Sequence, residues 1–464
     1  MKKQNQTGMS VTRRHFLGAA TTLAAFSIVP RYVLAGSGKL APSDKMNIGC
    51  VGVGGMQGAG DVRNVAGENI YAICDVDENF LNKSAGIYPK AKKYRDFREM
   101  LDKEHKTLDG ITITIPDHMH ASVALWAMER GVHVHCQKPL TQSIWEARLL
   151  AKAAEKYKVC TQMGNQGYSS EATRLACEYV WNGDIGEVTE VHAMSGGGFA
   201  RDIKTWPAAQ PVPPTLDWNL WTGRAPEHPY STKIHPSNWR GFLDYGTQMV
   251  GDWGIHILGP ANWALQLGSP TSVECTAVAE AEVNPITYPP YIAKFEFPAR
   301  PNKFVAGGKM PPVTIYWYEG AMARTFQAPK TLPVDPPSPD SPPFKYNQLF
   351  IGTKGFMGTN GRGESVRLLP ESKAKDHKKP PTVIKRSPGH FKDWINACKG
   401  GDAACSNFSI ASPFTEWLLL GAISWRFPKT KLLWDGKAMR FTNNEKANEF
   451  IKPYFRKGWE LKDV

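Results

Sequence analysis

Several things are missing from this chain, and each absence narrows what it can be. Beyond residue 35 no stretch is apolar for long enough to cross a bilayer, so a polytopic membrane protein is excluded. The eight cysteines form no C-x-x-C pair and no zinc-ligand spacing, which removes the common structural metal modules and gives no expectation of a metal. No internal repeat is visible, so a solenoid or propeller is not indicated. No nucleic-acid motif or long basic helix accompanies the formal net charge of +13. The run Lys373 to Lys379 (KAKDHKK) reads as solvated loop surface rather than a binding stripe.

Acidic residues are absent from positions 1–35, which hold Lys2, Lys3, Arg13, Arg14 and Arg31; without that segment the charge falls to +8. The segment is built like an export signal. Thr12-Arg13-Arg14-His15-Phe16-Leu17 resembles the twin-arginine motif, and Gly18 to Val29 is weakly apolar. Val33-Leu34-Ala35 offers small residues for cleavage after Ala35. The apolar part is too short and too rich in Ala, Thr and Gly for a stable membrane anchor. The expectation is a periplasmic or otherwise extracytoplasmic protein, exported folded with the twin-arginine translocase as a transient partner.

What is present is an ordinary globular composition, 42% hydrophobic and 21% charged, over 464 residues, enough for two sizeable cores. Lys45 to Gly60 (KMNIGCVGVGGMQGAG) organises the first. An apolar run, Ile48 to Val53, passes into glycines and then a possible helix, the form of a strand, a tight turn and a helix N-terminus that holds a dinucleotide pyrophosphate. Gly52 allows the turn and Gly54 lets the backbone approach phosphates. The third glycine of G-x-G-x-x-G is replaced by Gln57, with Gly55 and Gly58 beside it, and backbone N–H groups from Gly54 through Gly55 and Met56 to Gln57 are the expected cradle. Asp75 ends the next strand about 20 residues on. Its carboxylate suits ribose hydroxyls and repels a 2′-phosphate, which favours NAD over NADP.

Strand-like runs at Ile48–Val53, Ile70–Cys74, Gly110–Ile115, Val132–Cys136 and Val159–Met163 alternate with helix-like Asp61–Ala66, Glu78–Ile87, Phe97–Leu101, Ala121–Arg130 and Ser143–Lys156. That alternation predicts an α/β Rossmann-type doubly wound parallel sheet over 45–165. Cys50, Cys74, Cys136 and Cys160 read as small core residues, while Cys398 and Cys405 could bridge in an oxidising compartment. After Gln166 comes a helix from Glu171 to Trp181, then Gly186–Met194, then spaced strands at Ser272–Ala279, Ala293–Phe297, Val313–Tyr318 and Gln348–Gly352. Residues 166–464 are expected to form an α+β domain with a large, mostly antiparallel sheet, carrying a Pro-rich loop or arm at Thr331–Pro343 and an apolar helix at Phe414–Trp425.

Three further segments carry chemistry: Ile115-Pro116-Asp117-His118-Met119-His120, Gln137-Lys138-Pro139, and Gly246 to His256 with Asp252 and His256 four apart. As an ordered set they resemble the Gfo/Idh/MocA oxidoreductases. That family usually shows T-P-x-x-x-H, E-K-P and D-x-x-x-H at the corresponding places. The resemblance implies a nucleotide-binding N-terminal domain, an α+β C-terminal domain, a sugar or polyol substrate, and homo-oligomers packed through the sheets. It places Pro116, His120, Gln137 and Lys138 at the cofactor, and Lys138, Asp252 and His256 in catalysis.

The physical reading agrees. Asp252 and His256 can share a helix face, and an imidazole of ordinary pKa can take the proton of a hydroxyl losing hydride. A lysine at the C-terminal end of a parallel strand can steady alkoxide charge. Gln137 in place of Glu removes a charge beside Lys138 and should alter its pKa. Asn165, Gln166 and Tyr168 after the last parallel strand, with His235, Trp239 and Tyr245 before the Asp–His segment, are candidate substrate residues. The aromatic ones suit sugar stacking and a domain core equally well.

Two functions remain open at this point. One is a periplasmic NAD(P)-dependent oxidoreductase moving hydride to or from a secondary alcohol with tightly bound cofactor. The other is a redox-neutral NAD-dependent carbohydrate lyase, epimerase or glycosidase. A non-catalytic nucleotide- or sugar-binding protein is the bland alternative.

Overall fold

The computed structural model describes residues 44–333 and 344–464, the side chain of residue 373 apart. The export-signal segment and most of the Pro-rich stretch at 331–343 lie outside the described residues. Residues 47–464 make one compact unit.

The first sheet has six strands: β1 Asn47–Val51, β2 Asn69–Cys74, β3 Lys92–Tyr94, β4 Gly110–Ile113, β5 His133–Cys136 and β6 Thr161–Met163. Every pairing is parallel and the order is β3-β2-β1-β4-β5-β6. Ile48, Cys50, Ile111, Ile113, Val134 and Cys136 are fully buried, as strands covered on both faces must be. Strand order reverses between β1 and β4, and ligands of such sheets bind beyond the carboxyl ends of strands at that switch point.

Helix α1 (Gly55–Val65) starts six residues before the position its composition suggests. Glycines disfavour a helix locally, but Gly58, Asp61, Val62 and Val65 are buried against the sheet, and packing overrides propensity. The helix predicted from Ser143 is Ile144–Tyr157, with Ser143 and Glu146 forming a full capping box. β3 went unseen in the sequence because Lys-Lys-Tyr at a sheet edge has no apolar signature.

The second sheet has nine strands. Across it run Val366–Leu369, Phe356–Thr359, Gln348–Gly352, Val188–Ser195, Val313–Glu319, Tyr291–Phe297, Ser272–Val278, Lys431–Asp435 and Arg440–Phe441. Only Val188–Ser195 against Val313–Glu319 is parallel; the rest are antiparallel. Tyr291, Ala293, Phe295 and Phe297 point inward at alternate positions.

The helix Phe408–Ser424 ties the two sheets together. It packs on the helix Ile144–Tyr157 and on β6 from the first sheet, and on Ser272–Val278 and Tyr291–Phe297 from the second. Arg148 grips Glu416 with two 2.7 Å bonds across the helix pair. Pro413 inside this helix is why its sequence reads as starting only at Phe414.

The segment between Ser195 and Val250 contributes no sheet strand. It folds around a separate aromatic core that includes Trp221, Tyr230, Trp239, Phe242 and Tyr245. Its stretch 213–217 is fastened to the loop after β2: Asp217 N–H donates to the Val76 carbonyl at 2.9 Å, and Glu78 N–H and Arg95 both donate to the Thr215 carbonyl, at 3.0 and 3.1 Å. Among the described residues no helix is long and apolar enough to cross a membrane.

Candidate active site

A cavity of about 310 Å³ opens at the switch point, within the range of small-molecule sites. Its floor is the glycine turn. Gly52 has φ +79°, and a Cβ there would stand 2.1 Å from the Thr114 carbonyl oxygen. A Cβ on Gly54 would strike the Phe80 ring at 2.3 Å. The position that lets helix and turn close on one another is Gly58, whose Cβ would lie 2.6 Å from the Gly52 carbonyl oxygen. Gly58 thus does the packing that the third glycine of the motif does elsewhere, which frees position 57 for a glutamine.

Gly54 caps α1 without any side-chain bond, so the first N–H groups of the helix face the cavity, whose wall includes Gly54, Gly55, Met56 and Gln57. Uncapped donors at a positive helix end suit a pyrophosphate. Asp75 stands beside them. Its carboxylate accepts N–H bonds from Val53 and Asp77, both 3.0 Å, and burial pushes its pKa up to about 6 against the pull of those donors. The turn and the acidic residue therefore fit a dinucleotide and its ribose.

A buried hub missed in the sequence sits under the turn. Asp61 accepts from Gln57 at 2.8 Å, Thr114 at 2.8 Å and Gln137 at 2.7 Å, which links α1 to the loops after β4 and β5. Burial raises its pKa, opposed by those three donors and by Lys138. Gln137 is explained by this contact. Its amide turns to Asp61, and a glutamate there would face a second carboxylate. The only available signal was an acid inside a helix of small residues, four positions after Gln57.

Lys138 follows at the end of β5 and lines the cavity. Its Nζ is ion-paired with Asp252 Oδ1. Arg240, also in the wall, reaches the same oxygen at 3.4 Å and binds Asp117 at 2.7 Å, while Thr247 donates to the other Asp117 oxygen at 2.7 Å. The Arg240 guanidinium lies 4.3 Å from the centre of the Trp239 ring. Burial lowers the Lys138 pKa, with Asp252 opposing and Arg240 assisting. Burial alone would raise Asp252, but Arg240 and Lys138 outweigh it and hold the carboxyl below its usual value.

The Asp252 turn is a π-helix, Val250–Gly254, followed by a short α-turn, Ile255–Ile257, that carries His256. His256 is buried, its Nδ1 has no hydrogen-bond partner, and burial together with Lys138 pushes its pKa down to about 3. The expectation of an imidazole with ordinary basicity is corrected: this histidine is neutral near pH 7 and a weak base. Neither Asp252 nor His256 forms the cavity wall; Asp252 acts on it through Lys138 and Arg240.

Of the other candidates, Pro116, His235 and Trp239 line the cavity. His120 does not. Its ring is buried between the carbonyls of Pro139, 2.7 Å, and Ile115, 2.8 Å, and braces the two loops. Tyr168 is a core residue stacked on Trp263 with its hydroxyl bonded to Asn262 at 2.6 Å. Tyr245 is fully buried in the aromatic core. Gln166 opens a short turn after β6, half-buried and outside the wall. Asn165 is buried with neither side-chain polar atom bonded to the protein, so it retains its full capacity for a ligand.

Residues 46–165 match the family model described as oxidoreductase family, NAD-binding Rossmann fold, and residues 195–287 match that of the oxidoreductase family C-terminal alpha/beta domain. Both are models of the Gfo/Idh/MocA oxidoreductase family, matched over these two segments of the chain. Among curated relatives, a glycosyl hydrolase family 109 protein of Shewanella pealeana is 28% identical over 208 residues, 39% of this chain and 45% of the relative. A glucose-6-phosphate 3-dehydrogenase of Bacillus subtilis is 26% identical over 167 residues, 34% of this chain and 45% of the relative. The chain thus spans somewhat under half the length of the curated relatives it matches.

Solved structures of similar fold include the WlbA dehydrogenase from Bordetella pertussis with NADH and UDP-GlcNAcA, TM-score 0.55, 14% identical, covering 84% of this chain and 99% of that one. Levoglucosan dehydrogenase with NADH and levoglucosan gives 0.52 at 17%, covering 82% and 97%. At such identities the likeness is one of fold.

Proposed function

We propose that this protein is an exported NAD-dependent oxidoreductase of the Gfo/Idh/MocA family that moves hydride to or from a secondary alcohol of a sugar or polyol and keeps its cofactor bound. The observation that carries this reading is Lys138 in the wall of a cavity floored by an uncapped helix N-terminus, with Asp252 behind it shared by Lys138 and Arg240. NAD rather than NADP follows from Asp75, which would repel a 2′-phosphate. Bound nicotinamide would supply the hydride acceptor. Lys138, the cavity-wall group whose pKa burial lowers, takes the hydroxyl proton in its neutral form and steadies the alkoxide as charge develops. Asp252, itself held by Arg240, keeps the resulting ammonium in place.

Retention of the cofactor is supported by the stretch 213–217, bonded across the loop next to Asp75. Export is supported by the Arg13-Arg14 signal. Lysine in both places should leave the protein in the cytoplasm on fractionation. A second reading, a redox-neutral cycle that cleaves or epimerises a glycoside, is favoured by the glycosyl hydrolase family 109 name of the Shewanella pealeana relative. Transient oxidation acidifies the neighbouring C–H, which makes elimination feasible. Incubating the purified protein with a panel of free sugars and aryl glycosides and scoring oxidised, reduced and cleaved products separates the two. Absence of every product across the panel would refute both.

A further inference from the structure

Cys160, Cys398 and His133 meet far from the cavity described above, their ligand atoms all within 4.8 Å of one another. They come from three distant parts of the chain: the residue before β6, the end of the helix His390–Cys398, and the start of β5. From sequence alone Cys160 belongs to the core, and Cys398 could bridge to Cys405. Instead Cys160 is half-exposed, and the Cys405 thiol turns to the Ser169 hydroxyl at 3.5 Å and the Tyr168 carbonyl at 3.6 Å.

A metal is the first occupant to consider, but the imidazole is engaged. His133 Nδ1 accepts the Cys160 backbone N–H at 3.1 Å, which leaves its proton on Nε2 and no free lone pair. Two thiols in contact remain. They differ in character: a hydrogen bond from the Cys398 thiol brings Cys160 down to about 7, while burial and the same contact raise Cys398. An attacking thiolate beside a protonated resolving thiol is what disulfide exchange requires. A cavity of about 770 Å³, lined by Cys160, Val159, Lys152, Glu155, Ala397 and Asn407, opens on the attacking sulfur.

We propose that Cys160 and Cys398 are a reversible dithiol pair that closes to a disulfide by exchange with a small-molecule disulfide entering this cavity. The Cys160 thiolate attacks one sulfur of R–S–S–R, forming a mixed disulfide and releasing RS⁻. Cys398 gives up its proton and attacks Cys160 sulfur, releasing the second RS⁻. The protein loses two electrons and two protons, and the oxidant becomes two thiols. The bridge would fix the end of the helix whose first turn holds His390 against the Met163 carbonyl and the Ser169 hydroxyl, 2.9 and 2.8 Å away.

The test treats the full-length protein with oxidised glutathione, then alkylates it under denaturing conditions and maps the peptides. Two of the eight thiols should become unreactive. The peptides bearing Cys160 and Cys398 should be joined with the mass of two hydrogens lost, the thermal midpoint should rise, and dithiothreitol should reverse all three. In Cys398→Ser the reaction should halt with glutathione on Cys160; in Cys160→Ser position 398 should stay reduced. The proposal is overturned if both cysteines remain alkylatable in the treated wild type, if glutathione persists on Cys160 there, or if the two thiols are shielded until a chelator is added.

Discussion

At the scale of the residue, the site is a set of paired charges whose partners explain departures from the family pattern. Gln137 shows this best. Read from sequence it is a missing charge beside Lys138; in three dimensions it is the donor that Asp61 needs. Gln137→Glu should therefore cost on the order of 2–3 kcal/mol in chemical denaturation, because two buried carboxyls would meet. Adding Asp61→Asn should recover most of it, and independent, additive losses would contradict the pairing.

Protonation belongs to this scale as well. His256, held near 3, is neutral on both sides of pH 6.5 and contributes no inflection there. Lys138, lowered from 10.5, gains its neutral, proton-accepting form as pH rises. Alcohol oxidation should accordingly climb with pH through one inflection below 10.5. Lys138→Arg should remove that limb. A histidine-like inflection near 6.5 that vanishes in His256→Asn would show that the imidazole is the base after all.

At the scale of the element, the glycine turn carries the account. Gly55 and Gly58 are adjacent in the same helix turn, yet they make opposite demands. A Cβ at Gly55 meets nothing within 4 Å, its cost being only that of φ +61°, whereas one at Gly58 meets the Gly52 carbonyl oxygen. Gly58→Ala should push α1 off the turn and weaken NAD binding by about 1–3 kcal/mol in calorimetry. Gly55→Ala should lower stability by about 1 kcal/mol with NAD affinity nearly kept. Equal effects on affinity would show that helix–turn packing is not what positions the phosphate donors.

Elements also show where the sequence could be read and where it could not. The buried parallel strands announce themselves through apolar runs, the helix at Ile144 through its apolar spacing, and Asp75 through its place at a strand end. Propensity misplaced the start of α1, because the burial of Gly58 and Asp61 decides it. Pro413 hid the first turns of the helix Phe408–Ser424. The Asp61 hub, the Arg240–Asp117 pair and the Cys160–Cys398 contact join residues remote in sequence. Periodicity carries no information about such pairs; only the fold brings them together.

At the scale of the whole molecule, one hydrophobic core runs through both sheets, from Val51 and Ile113 to Ile315 and Trp317. Trp417 lies at the seam. It is fully buried, in edge contact with Phe295 and Phe297, and its indole N–H donates to Asn262 at 3.0 Å. Such continuity predicts a single unfolding transition for residues 47–464. Trp417→Ala should reduce stability by about 3–5 kcal/mol. Two separated transitions in the wild type, by calorimetry and near-ultraviolet circular dichroism together, would show that the sheets fold independently.

The functional claim rests on Lys138 meeting a hydroxyl while NAD is held beside it. Its most direct test is a single turnover: protein loaded with oxidised NAD is mixed with the polyol that the product panel selects, and the near-ultraviolet absorbance of reduced nicotinamide is followed. Wild type should show the absorbance rise within one enzyme equivalent. Lys138→Ala should bind NAD as tightly but reduce it on the order of 10²–10⁴ times more slowly. A Lys138→Ala protein that reduces its bound NAD at the wild-type rate would contradict the assignment.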